Sequence, residues 1–133
     1  ILKRLVEEEL NSFTLIVWRH YSSSFSDLIS NTKDFISAHL SETITLKLMA
    51  EKLGVNPSYL SRRFKQKEGI ILTTYINMKR IEEAKRLLIS RNSTITDVAF
   101  DVGFGSIQQF NRVFKKIEGC SPSRWRANIV KNK

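Results

Sequence analysis

The chain contains little cysteine, proline or glycine: one, two and five residues among 133. A single cysteine, Cys120, excludes an internal disulfide and favours a reducing compartment such as the cytoplasm. The longest apolar run, Leu15 to Trp18, is far shorter than the ~20 residues of a membrane span. A glycine-rich phosphate loop is also missing. We therefore expect no disulfide, no membrane partner and no nucleotide-binding loop.

Groups that could carry catalysis or hold a metal ion are scarce. His20 and His39 are far apart, and neither has a Cys, Asp or Glu at metal-ligand spacing. Cys120 follows a glycine at a predicted turn and has no histidine near it in sequence, which argues against a nucleophile. We therefore expect no enzyme activity, no metal and no cofactor.

The remaining composition, 41% hydrophobic and 26% charged residues, is ordinary for a soluble globular protein. The sequence begins at Ile1 rather than at a methionine, and it lacks the charged-then-apolar layout of a signal peptide. We expect one compact domain with an appendage, belonging to a longer protein.

Positive charge is concentrated in the C-terminal two thirds of the chain. The net charge is +9, yet residues 1–40 hold four Lys and Arg against five Asp and Glu, whereas residues 41–133 hold eighteen against eight. Such a surplus favours a polyanionic partner. A solvated basic surface explains it about equally well, so a second feature must decide.

An internal repeat supplies that feature. Four positions recur 49 places later, and seven more recur at an offset of 50 after one extra residue. The first set is Leu46, Ala50, Leu53 and Gly54, matched by Ile95, Ala99, Val102 and Gly103. The second is Leu60, Ser61, Arg62, Phe64, Lys65, Glu68 and Gly69, matched by Phe110, Asn111, Arg112, Phe114, Lys115, Glu118 and Gly119.

Each repeat is predicted to form two short helices across a tight turn. Thr45 and Thr94 occupy N-cap positions, and Thr94 with Asp97 has the spacing of a capping box. A glycine then ends each first helix because it can adopt the left-handed conformation. Alanine at positions 50 and 99 lets the second helix cross closely. The pattern is typical of a helix-turn-helix.

The second helix of each repeat separates apolar from polar side chains. Asn56 and Pro57 begin the first such helix, and Ser106 caps the second. A spacing of ~100° per residue turns the apolar side chains inward, namely Leu60, Phe64, Phe110, Val113, Phe114 and Ile117. It turns the polar ones outward, namely Ser58, Ser61, Arg62, Lys65, Gln108, Asn111, Arg112 and Lys115. Amide and guanidinium groups recognise base edges, and their occurrence on both helices favours DNA over a solvated face.

A continuous helix is predicted over residues 70–90, between the repeats, because no Gly or Pro interrupts its apolar face. Its length of ~30 Å is close to the ~34 Å between successive major grooves. After the second repeat, Ser121 and Pro122 begin a short final helix. Trp125 is predicted to be a core residue of that helix, with Arg124 and Arg126 near phosphates.

These residues resemble the AraC/XylS family of transcription regulators over about residues 26–127. The most specific stretches are residues 56–65 (NPSYLSRRFK), 80–84 (RIEEA), 102–104 (VGF), 110–116 (FNRVFKK), Gly119 and 121–122 (SP). The resemblance implies an all-α fold of seven helices, in which two homeodomain-like helix-turn-helix subdomains are joined by a long linker helix. It also implies promoter DNA as the ligand, with one helix of each subdomain entering successive major grooves.

Carried over by position, the resemblance gives base-reading roles to Ser58, Ser61, Arg62, Ile107, Gln108, Asn111 and Arg112. We expect phosphate contacts from Arg63, Lys65, Lys115, Lys116, Arg124 and Arg126. RNA polymerase is an expected protein partner, and a homodimer through the upstream region is a further expectation. This sequence departs from the family pattern at Gly105, which allows a looser start of the second reading helix, and at Gln108-Gln109, which changes base preference.

We expect the DNA-binding domain to span residues 25–133, with helix-turn-helix units at 45–69 and 94–119 and a first helix over residues 26–40. Residues 2–18 have a wide apolar helical face. They fit the trailing helix of an upstream regulatory domain, a dimerisation helix, or an extra helix packed on this domain, and residues 1–24 include a linker. Two other functions stay open: a helical adaptor for an acidic protein, and a nucleic-acid-modifying enzyme whose catalytic groups lie elsewhere.

Overall fold

The computed structural model describes residues 27–90 and 92–131. These residues form seven helices and no strand, which confirms the all-α prediction. Helix α1 includes residues 27–38. The others are α2 Leu46–Leu53, α3 Pro57–Glu68, α4 Leu72–Ser90, α5 Ile95–Asp101, α6 Ile107–Glu118 and α7 Pro122–Lys131. The helix predicted over residues 2–18, the segment 1–24 and His20 lie outside the described residues.

The first helix of each repeat starts at its predicted cap. Thr45 Oγ1 accepts the Leu48 amide at 3.1 Å, and Thr94 Oγ1 accepts the Asp97 amide at 3.0 Å. Gly54 ends α2 in the left-handed region, with φ of 71°. In the second unit, Val102 is the C-cap of α5, and the left-handed residue, Gly103 with φ of 102°, follows it. Both turns thus depend on glycine, as predicted.

Helices α3 and α6, the second helices of the two repeats, are capped in the same way. Asn56 Oδ1 accepts the amides of Ser58 and Tyr59 at 2.9 and 3.3 Å, and Pro57 is the first residue of α3. Ser106 Oγ accepts the amide of Gln109 at 3.1 Å at the start of α6. The predicted starts of both helices are confirmed.

Helix α4 contributes side chains to two hydrophobic cores. Ala50 and Ala99 are buried, as expected at close helix crossings. The first core contains Leu28, Ile29, Ile36, Met49, Ala50, Leu60, Phe64 and, from α4, Leu72 and Ile76. The second contains Val98, Ala99, Val102, Phe104, Phe110, Phe114 and, from α4, Ile81, Ala84, Leu87 and Leu88. Because one uninterrupted helix contributes to both cores, it joins the two units directly.

Two predictions about the second core have different outcomes. Trp125 packs against this core and meets Phe114 edge to face, with ring centroids 5.9 Å apart, so its predicted core role is confirmed. Ile117 was predicted to face inward and is 41% exposed, so that prediction is wrong. Ile117 lies one turn beyond Phe114, the last residue of α6 in the core, and helical projection does not reveal where a core ends.

A buried arginine joins the linker helix to both units. The side chain of Arg80 is near the middle of α4, and the residue is only 8% exposed. Its Nε donates to the Leu40 carbonyl at 3.1 Å, and its Nη2 donates to the Glu42 carbonyl at 2.8 Å. The guanidinium also lies 5.7 Å from the Phe104 ring centroid. Burial lowers the pKa of Arg80, but an arginine remains charged in proteins.

Gly103 is required where it approaches this arginine. A Cβ at Gly103 would lie 2.3 Å from the Leu40 carbonyl oxygen and 2.9 Å from Arg80 Nε, distances that real atoms do not allow. Gly54 has the same kind of backbone conformation, but a Cβ there would meet no atom within 4 Å. The two equivalent glycines therefore differ in what surrounds them.

The substitutions Gly54→Ala and Gly103→Ala separate backbone strain from steric overlap. We expect Gly54→Ala to lower the free energy of unfolding by about 1 kcal/mol, the cost of a left-handed alanine. Gly103→Ala should cost about 3 kcal/mol or more, because the Leu40 loop or Arg80 must also move. Urea unfolding measures both changes. Equal losses would contradict the close approach at Gly103.

Candidate nucleic-acid interface

Helix α3 presents a polar and basic face away from the first core. Ser58, Arg62 and Lys65 are exposed and Ser61 is half-buried. Arg62 Nε donates to the Ser58 carbonyl at 3.4 Å, so its side chain extends along the helix toward the first turn. The outward face of α3 therefore combines short hydroxyl side chains near its start with a long guanidinium donor beside them.

Arg63 lies against the surface of its own helix. Its Nη1 donates to Gln66 Oε1 at 2.7 Å, and its guanidinium lies 5.3 Å from the Tyr59 ring centroid. The residue is half-buried. These contacts restrain the guanidinium beside the outward face, where it remains a positive charge at the edge of α3.

Helix α6 repeats this face with different side chains. The exposed residues on it are Gln108, Asn111, Arg112, Lys115 and Lys116. Ile107 is half-buried and packs against the second core, so only part of its side chain faces outward. The outward set of α6 is therefore richer in amides than that of α3.

Two hydrogen bonds fix the start of α6, so the looser start expected from Gly105 is not observed. The Gly105 amide donates to Gln109 Oε1 at 3.2 Å, one turn into the helix. The Ser106 cap adds a second bond to the Gln109 amide. One of the two predicted unusual residues, Gln109, thus has a structural role, whereas Gln108 is exposed.

The two arginines of the last helix have different surroundings. Arg124 is exposed, and its amide donates to the capping oxygen of Ser121 at 3.3 Å. Arg126 is half-buried, and its Nη2 donates to the Ser93 carbonyl at 2.7 Å, across to the connection between α4 and α5. Arg126 therefore braces the second unit and does not belong to the outward basic set.

Other kinds of site find little support in the described part of the chain. His39 Nδ1 contacts the neighbouring Glu42 carboxylate. No group of three or more His, Cys, Asp and Glu side chains is arranged to hold a metal ion within residues 27–90 and 92–131. Across the same residues, no helix has the length and apolarity needed to cross a bilayer.

Sequence comparisons agree with this geometry. A family model described as a helix-turn-helix domain matches residues 49–128. The uncharacterized HTH-type transcriptional regulator YobQ of Bacillus subtilis (strain 168) is 38% identical over 99 residues, covering 74% of this chain and 41% of that protein. The regulator SAS0078 of Staphylococcus aureus (strain MSSA476) is 31% identical over 136 residues, covering 96% and 18%. The chain thus spans less than half the length of these curated relatives.

Solved structures share the same fold. The C-terminal domain of AraT, a response regulator from Geobacillus stearothermophilus, matches with a TM-score of 0.74 and 35% identity, covering 76% of this chain and 84% of that one. The DNA-binding domain of AdpA, a global transcriptional factor solved in complex with a target DNA, matches with a TM-score of 0.75 and 23% identity, covering 79% and 95%. The second likeness, at this identity, concerns the fold alone.

The two capped helix-turn-helix units on one linker helix have the architecture of an AraC-type helix-turn-helix domain. The chain belongs to the AraC-type helix-turn-helix family. The family resemblance and the fold predicted from the sequence are both confirmed. The curated relatives above are named as transcriptional regulators rather than as enzymes.

The side chain of Gln109 accepts a hydrogen bond from the Gly105 amide, whereas the neighbouring Gln108 is exposed, and amide exchange can distinguish their roles. We expect Gln109→Leu to accelerate hydrogen exchange of the Gly105 amide by about fivefold to tenfold, since that amide loses its acceptor. Gln108→Leu, an equal change on an exposed side chain, is the matched control and should leave the exchange rate unchanged. Equal rates in both variants would contradict a role for Gln109 in fixing the start of α6.

Proposed function

We propose that this chain binds double-stranded promoter DNA in a sequence-specific manner, with α3 and α6 in successive major grooves. The observation that carries the proposal is the repeated outward face, in which serine or amide side chains and one arginine occupy equivalent positions of both helices. Two base-reading helices require hydrogen-bonding side chains and an arginine at equivalent positions, whereas a solvated surface does not.

The proposed base contacts follow from side-chain chemistry. Arg62 and Arg112 suit guanine, which presents two acceptors in the major groove. Gln108 and Asn111 suit adenine, while the outward part of Ile107 suits a thymine methyl group. The hydroxyls of Ser58 and Ser61 are compatible with several bases. The two helices would therefore read different sequences.

Phosphate contacts would fix the position of the domain without reading bases. The proposed set is Arg63, Lys65, Lys115, Lys116 and Arg124, all on or beside α3, α6 and the start of α7. Arg126 is left out because its guanidinium reaches away to the Ser93 carbonyl, whereas the guanidinium of Arg63 stays on α3 beside the outward face. The net charge of +9 supports binding that weakens steeply with salt.

The length of α4 supports a two-groove arrangement. At ~1.5 Å per residue its 19 residues extend over about 28 Å, somewhat less than the ~34 Å between successive major grooves. A rigid reader of this size would bend the duplex toward itself. Binding both grooves at once is therefore expected to favour flexible base steps between the two contact blocks.

The partners beyond DNA are part of the same proposal. RNA polymerase is the expected protein partner of a promoter-bound regulator, and the bacterial nucleoid is its expected location. The greater length of the curated relatives supports an upstream regulatory segment, joined through residues 1–24, that would sense a signal and form a homodimer.

Selection from a randomised duplex pool tests the proposal directly. We expect the retained DNA to contain two short blocks about one helical turn apart. One enriched block would leave only one unit reading bases. If no sequence were enriched, DNA recognition would be rejected in favour of a helical adaptor for an acidic protein.

Substitution of the two arginines tests which helix reads which block. We expect Arg62→Ala and Arg112→Ala each to weaken the selected site by ~1–3 kcal/mol and to relax base preference in one block only. Lys65→Ala is the matched control on α3, because loss of a phosphate contact weakens every sequence alike. Fluorescence anisotropy on block-substituted duplexes measures both effects. An arginine whose loss affects all sequences equally would be a phosphate contact instead.

A further inference from the structure

The C-terminal end of α3 is held by a lysine from α1. Lys33 Nζ lies 2.6 Å from Glu68 Oε1 and 5.9 Å from the ring centroid of Tyr75. Tyr75 in turn meets Phe64 edge to face, with centroids 5.1 Å apart at 70°. We call Lys33, Glu68 and Tyr75 the first clasp. The first clasp thus connects Glu68, the last residue of α3, through Tyr75 to Phe64, which packs α3 into the first core.

The C-terminal end of α6 is held by an equivalent set. Lys85 Nζ lies 2.9 Å from Glu118 Oε1 and 5.8 Å from the ring centroid of Trp125. Trp125 meets Phe114 edge to face, with centroids 5.9 Å apart at 73°. We call Lys85, Glu118 and Trp125 the second clasp. Its lysine comes from α4, the helix that precedes the second unit as α1 precedes the first.

The two clasps occupy equivalent places in the repeat. Glu68 and Glu118 are 50 residues apart, and so are Tyr75 and Trp125, while the two lysines are 52 apart. The glutamate side chains are 21% and 20% exposed, and the lysine side chains 38% and 35%. The recurrence of the same kinds of partner at similar exposure argues against two incidental surface ion pairs.

The chemistry of the site explains why a cation is needed there. Glu68 and Glu118 are the only acidic residues of α3 and α6, and each is the last residue of its helix. A carboxylate is unfavourable at a helix C-terminus, because the helix dipole is negative there. It would also repel DNA phosphates. The hydrogen bond to Glu68 raises the pKa of Lys33, so this lysine remains charged.

We infer that Lys33 and Lys85 are positioning residues, each of which fixes the orientation of its own reading helix. Each clasp therefore acts on one block of the DNA site alone. The inference rests on the proposed function and deepens it. These two lysines would contribute through Glu68 and Glu118 rather than by touching phosphates, although they belong to the basic surplus of the chain.

The test combines two measurements on Lys33→Met, Lys85→Met and a charge-swapped pair, Lys85→Glu with Glu118→Lys. Residual dipolar couplings of the free protein report the direction of α3 and α6 without any DNA. Fluorescence anisotropy reports base preference. It compares binding to the duplex selected by the unchanged protein with binding to duplexes in which one of the two blocks is replaced. Lys79→Met is the matched control, because Lys79 also lies over Tyr75, at 5.5 Å, but pairs with Glu82 of its own helix.

We expect Lys85→Met to reorient α6 alone and to lower discrimination in the second block by about fivefold, the equivalent of ~1 kcal/mol. Lys33→Met should do the same for α3 and the first block. The charge swap keeps the net charge and the ion pair but not the cation over Trp125, so it should recover part of both readouts for α6 and the second block. Lys79→Met should change neither readout.

Unchanged couplings in both methionine variants would overturn the inference, as would equal losses in both blocks, which are the signature of lost phosphate contacts. These outcomes are distinct from failure of the proposed function, in which the unchanged protein itself selects no DNA sequence.

Discussion

The buried guanidinium of Arg80 is the constraint on which the arrangement of the two units depends. A charge removed from water must be matched by well-placed acceptors, and here these are the carbonyls of Leu40 and Glu42 in the connection between α1 and α2. On its other side are the turn glycine Gly103 and the Phe104 ring of the second unit. Three segments from distant parts of the chain therefore meet at one side chain, and neither unit can rotate about α4 independently.

This junction bears directly on the proposed recognition of two major grooves. A reader of two major grooves needs a fixed distance and angle between its helices, because any freedom between them lowers the gain from binding the second groove. The junction continues into α6 through Gly105 and Gln109, which fix the start of that helix. The clasps at Glu68 and Glu118 hold the opposite ends of α3 and α6. The proposed interface is thus supported at the linker, at the helix start and at the helix ends.

The sequence was sufficient for the features that depend on neighbouring residues. Caps such as Thr45 and Ser106, the turn glycines and the inward faces of the helices follow from local rules, and the internal repeat made each rule visible twice. Arg80, Arg126 and Ile117 depend on which segments meet in space, so their surroundings were not predictable from helical spacing. The clasps carried a detectable signal, because Lys33 and Lys85 match at an offset of 52 and Tyr75 and Trp125 at 50. These four residues lie outside the two helix-turn-helix units, in which the repeat is most regular.

Pulsed electron-electron distance measurements determine whether Arg80 sets the spacing of α3 and α6. Spin labels at Lys67→Cys and Ile117→Cys, in a Cys120→Ser background, mark equivalent exposed positions of α3 and α6. We expect one narrow distance distribution in the unchanged protein, and a broad distribution after Arg80→Met in a protein that still contains all its helices. An equally narrow distribution in the Arg80→Met variant would contradict it, because the shared helix and its two cores would then suffice without the guanidinium.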